Sequence, residues 1–170
     1  ILSLDGSSSS RYDQYKTGSY VNTAMYMGTN STSYYFSVAN GNISRFFDEM
    51  YLNTPWDYHY SSLDGRTILD RLASVKYFAV KRNGYGYIPY GYDEEAASTK
   101  KYRIYEDEDS LPLGYTYDSW ISREKYEKLS VTEKQQALLQ GAVVENSSLP
   151  ETQLSFDDKK ADFTLEAGKG

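Results

Sequence analysis

Runs of aromatic and β-branched residues predict three strands along the chain. The runs cover residues 33–38, 75–80 and 101–105, and turn signals at Asn40-Gly41 and Asn83-Gly84 follow the first two. Residues 75–80 are apolar at nearly every position, which is typical of a buried strand.

Apolar residues at intervals of three and four predict two helices between the first and second strands. The first helix is capped by Asn42 and ends before Pro55. Its apolar face is made of Ile43, Phe46, Phe47 and Met50. The second helix begins at Ser61 or Ser62 and ends at Ala73. Its apolar residues are Leu63, Ile68, Leu69 and Leu72. Residues 56–60, between the two helices, are dense in aromatic and polar groups, and we expect a loop there.

Two short helices are predicted at residues 122–129 and 130–141. Ser122 caps the first, and Ser130 with Glu133 forms a capping box at the start of the second. Together with the strands, these helices predict an α+β or α/β fold with a small mixed sheet and several short helices packed on it. The apolar residues of segment 11–27 do not repeat at a regular interval, although Tyr20, Ala24 and Met27 would share a helical face, so the segment stays ambiguous.

Three further segments are polar or contain a strand breaker. Pro89 limits the tyrosine-rich segment 85–92 to an edge strand or a loop. Residues 93–100 are polar and predict a connection. The acidic run 106–109 follows a predicted strand, and we expect it to leave the sheet for solvent. A Ca²⁺ site in this run is the weaker interpretation, because consecutive residues of an extended chain point to opposite sides.

Tyrosine is the most unusual feature of the composition. The chain holds 19 tyrosines among 170 residues, and 39% of its residues are hydrophobic when tyrosine is counted. The core must therefore be built in large part from tyrosine rings. Because a buried hydroxyl needs a hydrogen-bond partner, we expect most rings to point their apolar body inward and their hydroxyl toward the surface.

Charge and cysteine content exclude several classes of protein. There are 18 Lys and Arg against 24 Asp and Glu, giving a net charge of −6, and this argues against a nucleic-acid partner. The lack of cysteine excludes disulfides and thiolate sites, and it fits either a reducing cytoplasm or a bacterial exterior that does without disulfides. No run approaches the roughly 18 to 20 apolar residues that cross a bilayer, and the first residues lack the features of a signal peptide, so we expect a soluble piece.

No catalytic motif is present in the sequence. A nucleophile elbow, a phosphate-binding glycine-rich loop, a pair of metal-spaced histidines and an EF-hand loop are all missing, and we expect neither a cofactor nor a metal. His59 is the only imidazole, so a stand-alone Ser-His-Asp hydrolase would have to use it. For a lone loop histidine beside tyrosines, a structural role is the simpler interpretation.

Aromatic and polar residues on two segments predict a carbohydrate site. Sugar rings lie with their C–H faces on aromatic planes, while their hydroxyls bond to Asp, Asn, Arg and Tyr side chains. The candidate residues for a glycan-binding cleft are Trp56, Asp57, His59, Arg66, Tyr85 and Tyr87. The alternative is that these rings simply build the tyrosine-rich core.

Four segments occur in an order and spacing that match a known family. They are NGNISRFF at 40–47, LDGRTILDRLASVKYFAVK at 63–81, IPYGY at 88–92 and LPLGYTYDSWIS at 111–122. Over roughly residues 11–145, the chain resembles the extracytoplasmic region of YfhO-type bacterial multi-pass membrane proteins.

The resemblance implies a piece of a GT-C-like glycosyltransferase of a Gram-positive cell envelope. In such enzymes a many-helix membrane part takes sugar from a polyprenyl-phosphate donor and decorates a cell-wall polymer such as lipoteichoic acid. Their catalytic acidic residues lie in loops of the membrane part, so the resemblance assigns no catalytic residue to this chain. Residues 1–145 would form the extracytoplasmic domain. Residues 146–170 would form a linker and the start of a truncated β-rich region.

Two functional hypotheses follow. In the first, the chain is a non-catalytic domain at the extracellular face of the cell membrane, which binds a cell-wall glycopolymer and works with the transmembrane part of the same polypeptide. In the second, it is a surface module that uses its tyrosines for protein–protein contact or envelope assembly. A concave tyrosine-lined cleft favours the first hypothesis, and a contiguous exposed aromatic patch favours the second.

Overall fold

The computed structural model describes residues 9–14, 22–54, 58–83 and 86–157. The helices within these ranges are α1 (Thr23–Met27), α2 (Gly41–Glu49), α3 (Thr67–Leu72), α4 (Arg123–Glu127) and α5 (Val131–Ala137). The strands are β1 (Arg11–Gln14), β2 (Asn30–Ser31), β3 (Ser33–Tyr35), β4 (His59–Ser61), β5 (Val75–Lys81), β6 (Glu94–Ser98), β7 (Tyr102–Glu106), β8 (Trp120–Ser122) and β9 (Ala142–Val144).

A mixed five-stranded sheet lies at one side of the fold, in the order β2-β1-β5-β7-β6. β1 pairs in parallel with β2 and β5, whereas β7 pairs antiparallel with β5 and β6. The central position of β5 follows from its sequence, because Tyr77 and Ala79 are buried on one face while Phe78 and Val80 are buried on the other. The prediction of a buried strand at 75–80 and of a mixed sheet is confirmed.

Helices α2 to α5 pack with two small sheets around a second core, separate from the residues buried on the main sheet, whereas α1 packs Ala24 against one face of that sheet. β3 pairs antiparallel with β4, and β8 pairs in parallel with β9. The buried residues of this core are Phe47, Met50, Leu52, Tyr60, Leu63, Leu69, Ile121, Tyr126 and Ala137. Short helices beside a mixed sheet give an α+β fold, as predicted.

Tyrosines contribute strongly to the buried surface, as the composition predicts. The buried rings are those of Tyr12, Tyr60, Tyr77, Tyr92, Tyr105 and Tyr126. The hydroxyl of Tyr92 is an exception to the expected surface position. It is buried and donates a hydrogen bond to the Val75 carbonyl at 2.7 Å. A backbone acceptor therefore replaces solvent at this ring.

Two helix starts differ from the prediction. The cap of α2 is Asn40, whose side-chain oxygen accepts from the Asn42 N–H at 2.9 Å, so Asn42 already lies in the first turn. α3 begins at Thr67 and not near residue 62. Asp64 and Gly65 both have positive φ, which a right-handed helix cannot contain. Leu63 is nevertheless buried, because the turn folds it into the core.

Two strands lie where the sequence predicts other structure. Residues 93–100 hold the edge strand β6, which the polar sequence did not indicate, because its conformation depends on pairing with β7. His59 and Tyr60 belong to β4 and not to a loop, since β3 supplies their pairing partners. In both cases tertiary pairing determines the structure.

The acidic run 106–109 does not leave the sheet as a unit. Glu106 ends β7, Asp107 is buried with an exposed fraction of 1%, and Glu108 and Asp109 are exposed. The prediction of solvated charge is therefore wrong at Asp107, because Arg71 on α3 supplies a positive partner for it.

The segment that follows Pro150 packs against β8 and the second core. The Thr152 N–H donates to the Trp120 carbonyl at 2.7 Å, and Leu154 and Phe156 contact the second core. The rest of the predicted β-rich region, from residue 158 onward, lies outside the described residues.

Candidate functional site

Half of the residues predicted to bind a glycan lie within the described ranges. These are His59, Arg66 and Tyr87, whereas Trp56, Asp57 and Tyr85 lie outside them. The glycan role of all six stays a prediction.

Arg66 and Tyr87 meet at the turn that precedes α3. The Tyr87 hydroxyl donates to the Asp64 carbonyl at 2.7 Å, and Nη1 of Arg66 donates to the Met50 carbonyl at 2.6 Å. Gly65, with φ of +61°, lets the Tyr87 ring approach the turn, because a Cβ there would stand 2.5 Å from the tyrosine oxygen. Tyr87 thus supports the backbone of this turn, and Arg66 joins the turn to the end of α2.

His59 lies on β4, directly opposite Tyr35 on β3. The two rings are 4.4 Å apart between centroids and are tilted by 34°. His59 is half-buried in this pair. A cross-strand aromatic contact of this kind stabilises the pairing of β3 with β4.

A pocket of about 390 Å³ lies between α2, α3, the β1–β2 side of the sheet and the segment 115–117. Its volume falls within the range of about 300 to 1,000 Å³ that is typical of small-molecule sites. The aromatic rings that line it are those of Tyr34, Phe46, Phe47, Tyr115 and Tyr117. Its polar side chains are those of Arg11, Ser31 and Thr32. An aromatic wall facing a few polar groups is suited to a ligand with both C–H faces and hydroxyls.

Hydrogen bonds to helix ends hold one wall of the pocket in place. The Tyr117 hydroxyl donates to the Leu138 carbonyl at 2.6 Å, and the Tyr115 hydroxyl donates to the Leu72 carbonyl at 3.2 Å. The two rings lie 5.5 Å apart in an edge-to-face arrangement. The two tyrosines therefore cap orphan carbonyls of α3 and of the turn after α5 while they present their rings to the pocket.

Tyr34 differs from the other tyrosines that line the pocket. Its ring stacks on Tyr60 with centroids 4.9 Å apart, and its hydroxyl oxygen is buried without a hydrogen-bond partner among the described residues. Burial raises the pKa of Tyr34 above its ordinary value. Buried hydroxyls normally have a hydrogen-bond partner, so this one is a candidate to bond with a ligand that enters the pocket and reaches it.

The polar side of the pocket is organised by a buried carboxylate. Asp13 on β1 accepts hydrogen bonds from the hydroxyls of Thr32 and Ser33. Burial raises the pKa of Asp13 to about 6, although these bonds favour the charged form. Arg11 lies two residues earlier and donates from Nη1 to the Ala73 carbonyl at 2.6 Å. Asp13 thus orients Thr32, and Ala73 orients Arg11.

The residues of this pocket were not predicted as a site from the sequence. They come from segments far apart in the chain, and no local pattern joins Arg11, Tyr34 and Tyr117. The only available signal was the segment 111–122, which carries Tyr115 and Tyr117 and contributes to the family resemblance. In the part of the chain that the structure describes, no three acidic or histidine side chains converge as metal ligands.

The family described as bacterial membrane protein YfhO matches residues 7–167. The chain belongs to the YfhO family. It is 28% identical over 130 residues to the uncharacterized protein YfhO of Bacillus subtilis strain 168. That match covers 75% of this chain and 15% of the Bacillus YfhO protein. No solved structure matches the chain. Across the described ranges of this YfhO family member, the helices are too short or too polar to cross a bilayer.

Proposed function

We propose that the chain is the extracellular domain of a membrane-embedded, GT-C-like glycosyltransferase, where it recognises a cell-wall glycopolymer acceptor of the lipoteichoic-acid type. The domain binds the acceptor and does not carry the catalytic residues. Membership of a membrane protein family supports the link to a membrane. Because the chain spans 15% of the length of its Bacillus relative, the remaining length of such a protein offers ample room for a transmembrane part and its chemistry.

The aromatic pocket is the observation that carries this proposal. The rings of Tyr115 and Tyr117 offer planes for the C–H faces of a sugar. The unpartnered hydroxyl of Tyr34 and the hydroxyl of Thr32 offer hydrogen bonds to its hydroxyl groups. The guanidinium of Arg11 suits a phosphate of a polyol-phosphate chain, since arginine binds phosphate through several N–H donors. These contacts suit the sugar substituent and the phosphate of a teichoic-acid polymer.

An NMR titration with short glycerol-phosphate oligomers, with and without a sugar substituent, tests the proposal. We expect chemical-shift changes at Thr32, Tyr34 and Tyr115, which saturate at lower concentration for the substituted oligomer. Thr32→Val should weaken binding, because it removes a hydroxyl and keeps the shape of the side chain. Tyr90→Phe is the matched control, since the Tyr90 side chain is 87% exposed and lies outside the pocket.

Two other results would overturn the pocket as the recognition site. Shifts confined to residues 56–60 and 85–87 would assign recognition to the residues predicted from the sequence. The absence of shifts at both places would remove glycan recognition from this domain.

A further inference from the structure

One long segment of the chain carries no charge. Residues 17–44 contain 28 consecutive residues without Asp, Glu, Lys, Arg or His, in a chain of which 25% is charged. The next longest uncharged runs, at 83–92 and 135–144, have ten residues each. Charged side chains are the usual means by which a protein keeps a surface in water. Their absence over this length is a property of one region and not of the whole chain.

The described part of this segment exposes large apolar side chains. Tyr26 is 94% exposed, Met25 and Val38 are each 77% exposed, and Phe36 is 58% exposed. α1 buries only Ala24 among its described residues. We name these four exposed side chains, together with Met27 and Tyr35, the apolar ledge.

Hydrogen bonds hold the two halves of the apolar ledge together. The side chain of Asn22, at the start of α1, accepts from the Tyr35 N–H at 2.8 Å and donates to the Tyr35 carbonyl at 3.2 Å. The Phe36 N–H donates to the Tyr58 carbonyl at 3.3 Å, which fixes the chain just after β3. These hydrogen bonds hold the backbone of the apolar ledge, which extends from α1 to the residues that follow β3.

We propose that the apolar ledge docks on the surface of a lipid bilayer. Tyr, Phe, Met and Val are side chains that enter the boundary between headgroups and acyl chains. The lack of acidic groups in residues 17–44 matters because the chain as a whole has a net charge of −6 and would be repelled by anionic headgroups elsewhere on its surface. A segment without acidic groups is the part of such a chain that can most easily approach a membrane.

Family membership supplies the second argument for a lipid surface. The YfhO family is described as a bacterial membrane protein family, and this chain spans 15% of its Bacillus relative. A domain that is linked to a membrane part meets the bilayer at a high effective concentration, so a few apolar side chains suffice for docking. This inference is independent of the proposed glycan site, because it uses different residues and a different ligand.

Paramagnetic NMR with lipid nanodiscs tests the proposal and detects weak contact. The probe is a phosphatidylcholine and phosphatidylglycerol nanodisc that carries nitroxide-labelled lipid. We expect line broadening at amides of 22–28 and 35–38, and little broadening at 86–92. Because the contact is apolar, the broadening should persist when salt is raised from about 0.05 to about 0.5 M. That rise screens the attraction between exposed charges.

A charge-insertion variant and a matched control separate docking from general lipid adhesion. The double variant Tyr26→Asp with Phe36→Asp should lower the bound fraction by about tenfold, because each carboxylate opposes insertion. Tyr90→Asp should bind as the parent does, since its side chain is exposed on a different segment. Equal thermal unfolding of all three proteins confirms that the variants fold.

Three outcomes would overturn the proposal. They are the absence of broadening, broadening that disappears with salt, and equal binding by the double variant. Light scattering without lipid provides a further check. Dimers that dissociate when Tyr26→Asp and Phe36→Asp are introduced would show that the ledge is an interface with a second copy of the chain.

Discussion

Arg71 and Asp107 form a two-point ion pair between α3 and the end of β7. Nε of Arg71 donates to Oδ2 of Asp107 at 2.7 Å, and Nη2 donates to Oδ1 at 3.0 Å. The Asp107 carboxylate also accepts from the Asp109 N–H at 3.0 Å. The pairing raises the pKa of Arg71 further above its ordinary value. This pair joins the helix to the main sheet and accounts for a buried carboxylate inside an acidic run.

Replacing Arg71 should be among the most destabilising single changes outside the apolar core. Arg71→Met leaves Asp107 buried without a cation, and we expect the free energy of unfolding to fall by about 2 to 3 kcal/mol, since one partner of the pair is partly exposed. Urea unfolding followed by circular dichroism measures the change. Lys128→Met is the control, because it removes an ion pair with Glu124 at the surface. If both variants lose the same free energy of unfolding, the buried pair stabilises the fold no more than the surface pair does.

Asp70 on α3 is completely buried, and no cation within the described residues pairs with it. Its side chain has an exposed fraction of 0%, and neither carboxylate oxygen has a hydrogen-bond partner among the described residues. Burial raises the pKa of Asp70 to about 8, and the charges of Asp13, Asp107 and Asp64 add to this shift. Asp70 is therefore largely protonated at neutral pH in the folded chain.

The raised pKa of Asp70 predicts that the folded chain loses stability as pH rises. In the unfolded chain Asp70 releases its proton near its ordinary pKa of 3.8, whereas the folded chain holds it until about pH 8. The folded state thus binds more protons between these values, and its stability is full below about pH 4 and falls by at most about 1.4 kcal/mol per pH unit. Asp13, with its pKa raised to about 6, contributes with the same sign over a narrower range.

The range from about pH 6 to about pH 8 isolates Asp70 from Asp13. Urea midpoints of the parent should fall over this range, and those of Asp70→Asn should stay level, because the amide does not titrate. Asp118→Asn, at an exposed position, should keep the parent slope. A level parent profile, or a slope that survives Asp70→Asn, would contradict a buried, protonated Asp70.

The sequence predicts those parts of the fold in which local residues determine the structure. β5 was located to within one residue, because Val75, Tyr77 and Phe78 favour a strand and are buried on both faces. The capping box of α5 was predicted for the same reason, since all its groups lie within four residues. β6 was missed because its EEAAS sequence has no strand preference of its own and depends on β7.

The candidate site depends on tertiary structure to a greater degree. Tyr34 was placed on a strand by the pattern of its neighbours, but its unpartnered hydroxyl results from the packing of α2 and β4 around it. Arg11 enters the pocket because β1 pairs with β5, and residues 11–27 show no periodic pattern from which to predict that pairing. Hydrophobic periodicity identifies buried faces and does not identify which polar groups remain without partners.

The correction at the start of α2 gives a pair of adjacent asparagines with different expected effects. Asn40→Ala should lower the free energy of unfolding by about 1 kcal/mol, because it removes the side-chain oxygen that accepts from the Asn42 N–H. Asn42→Ala should be close to neutral, since its exposed side chain lies inside the first turn. Urea unfolding of the two variants measures the difference. A larger loss of stability in Asn42→Ala than in Asn40→Ala would show that Asn42 is the cap, as the sequence predicts.

Removing a hydroxyl should have opposite effects at two tyrosines of the same pocket. Tyr34→Phe keeps the ring that stacks on Tyr60 and removes a buried oxygen without a partner, so in the absence of ligand we expect stability to rise by up to about 1 kcal/mol. Tyr117→Phe removes the donor of the 2.6 Å bond to Leu138, so we expect a loss of about 1 kcal/mol. Urea unfolding without glycan compares the two.

The same variant also tests whether the Tyr34 hydroxyl serves a ligand. If it bonds to a glycan, Tyr34→Phe should bind substituted glycerol-phosphate oligomers more weakly although the protein is more stable. If the Tyr34 hydroxyl only supports the fold, Tyr34→Phe should change stability and binding in the same direction, because a loosened pocket binds less well. An equal loss of stability in Tyr34→Phe and Tyr117→Phe would show that the Tyr34 hydroxyl already has a partner. The pocket would then lack the unpartnered group that we expect to bond with a sugar.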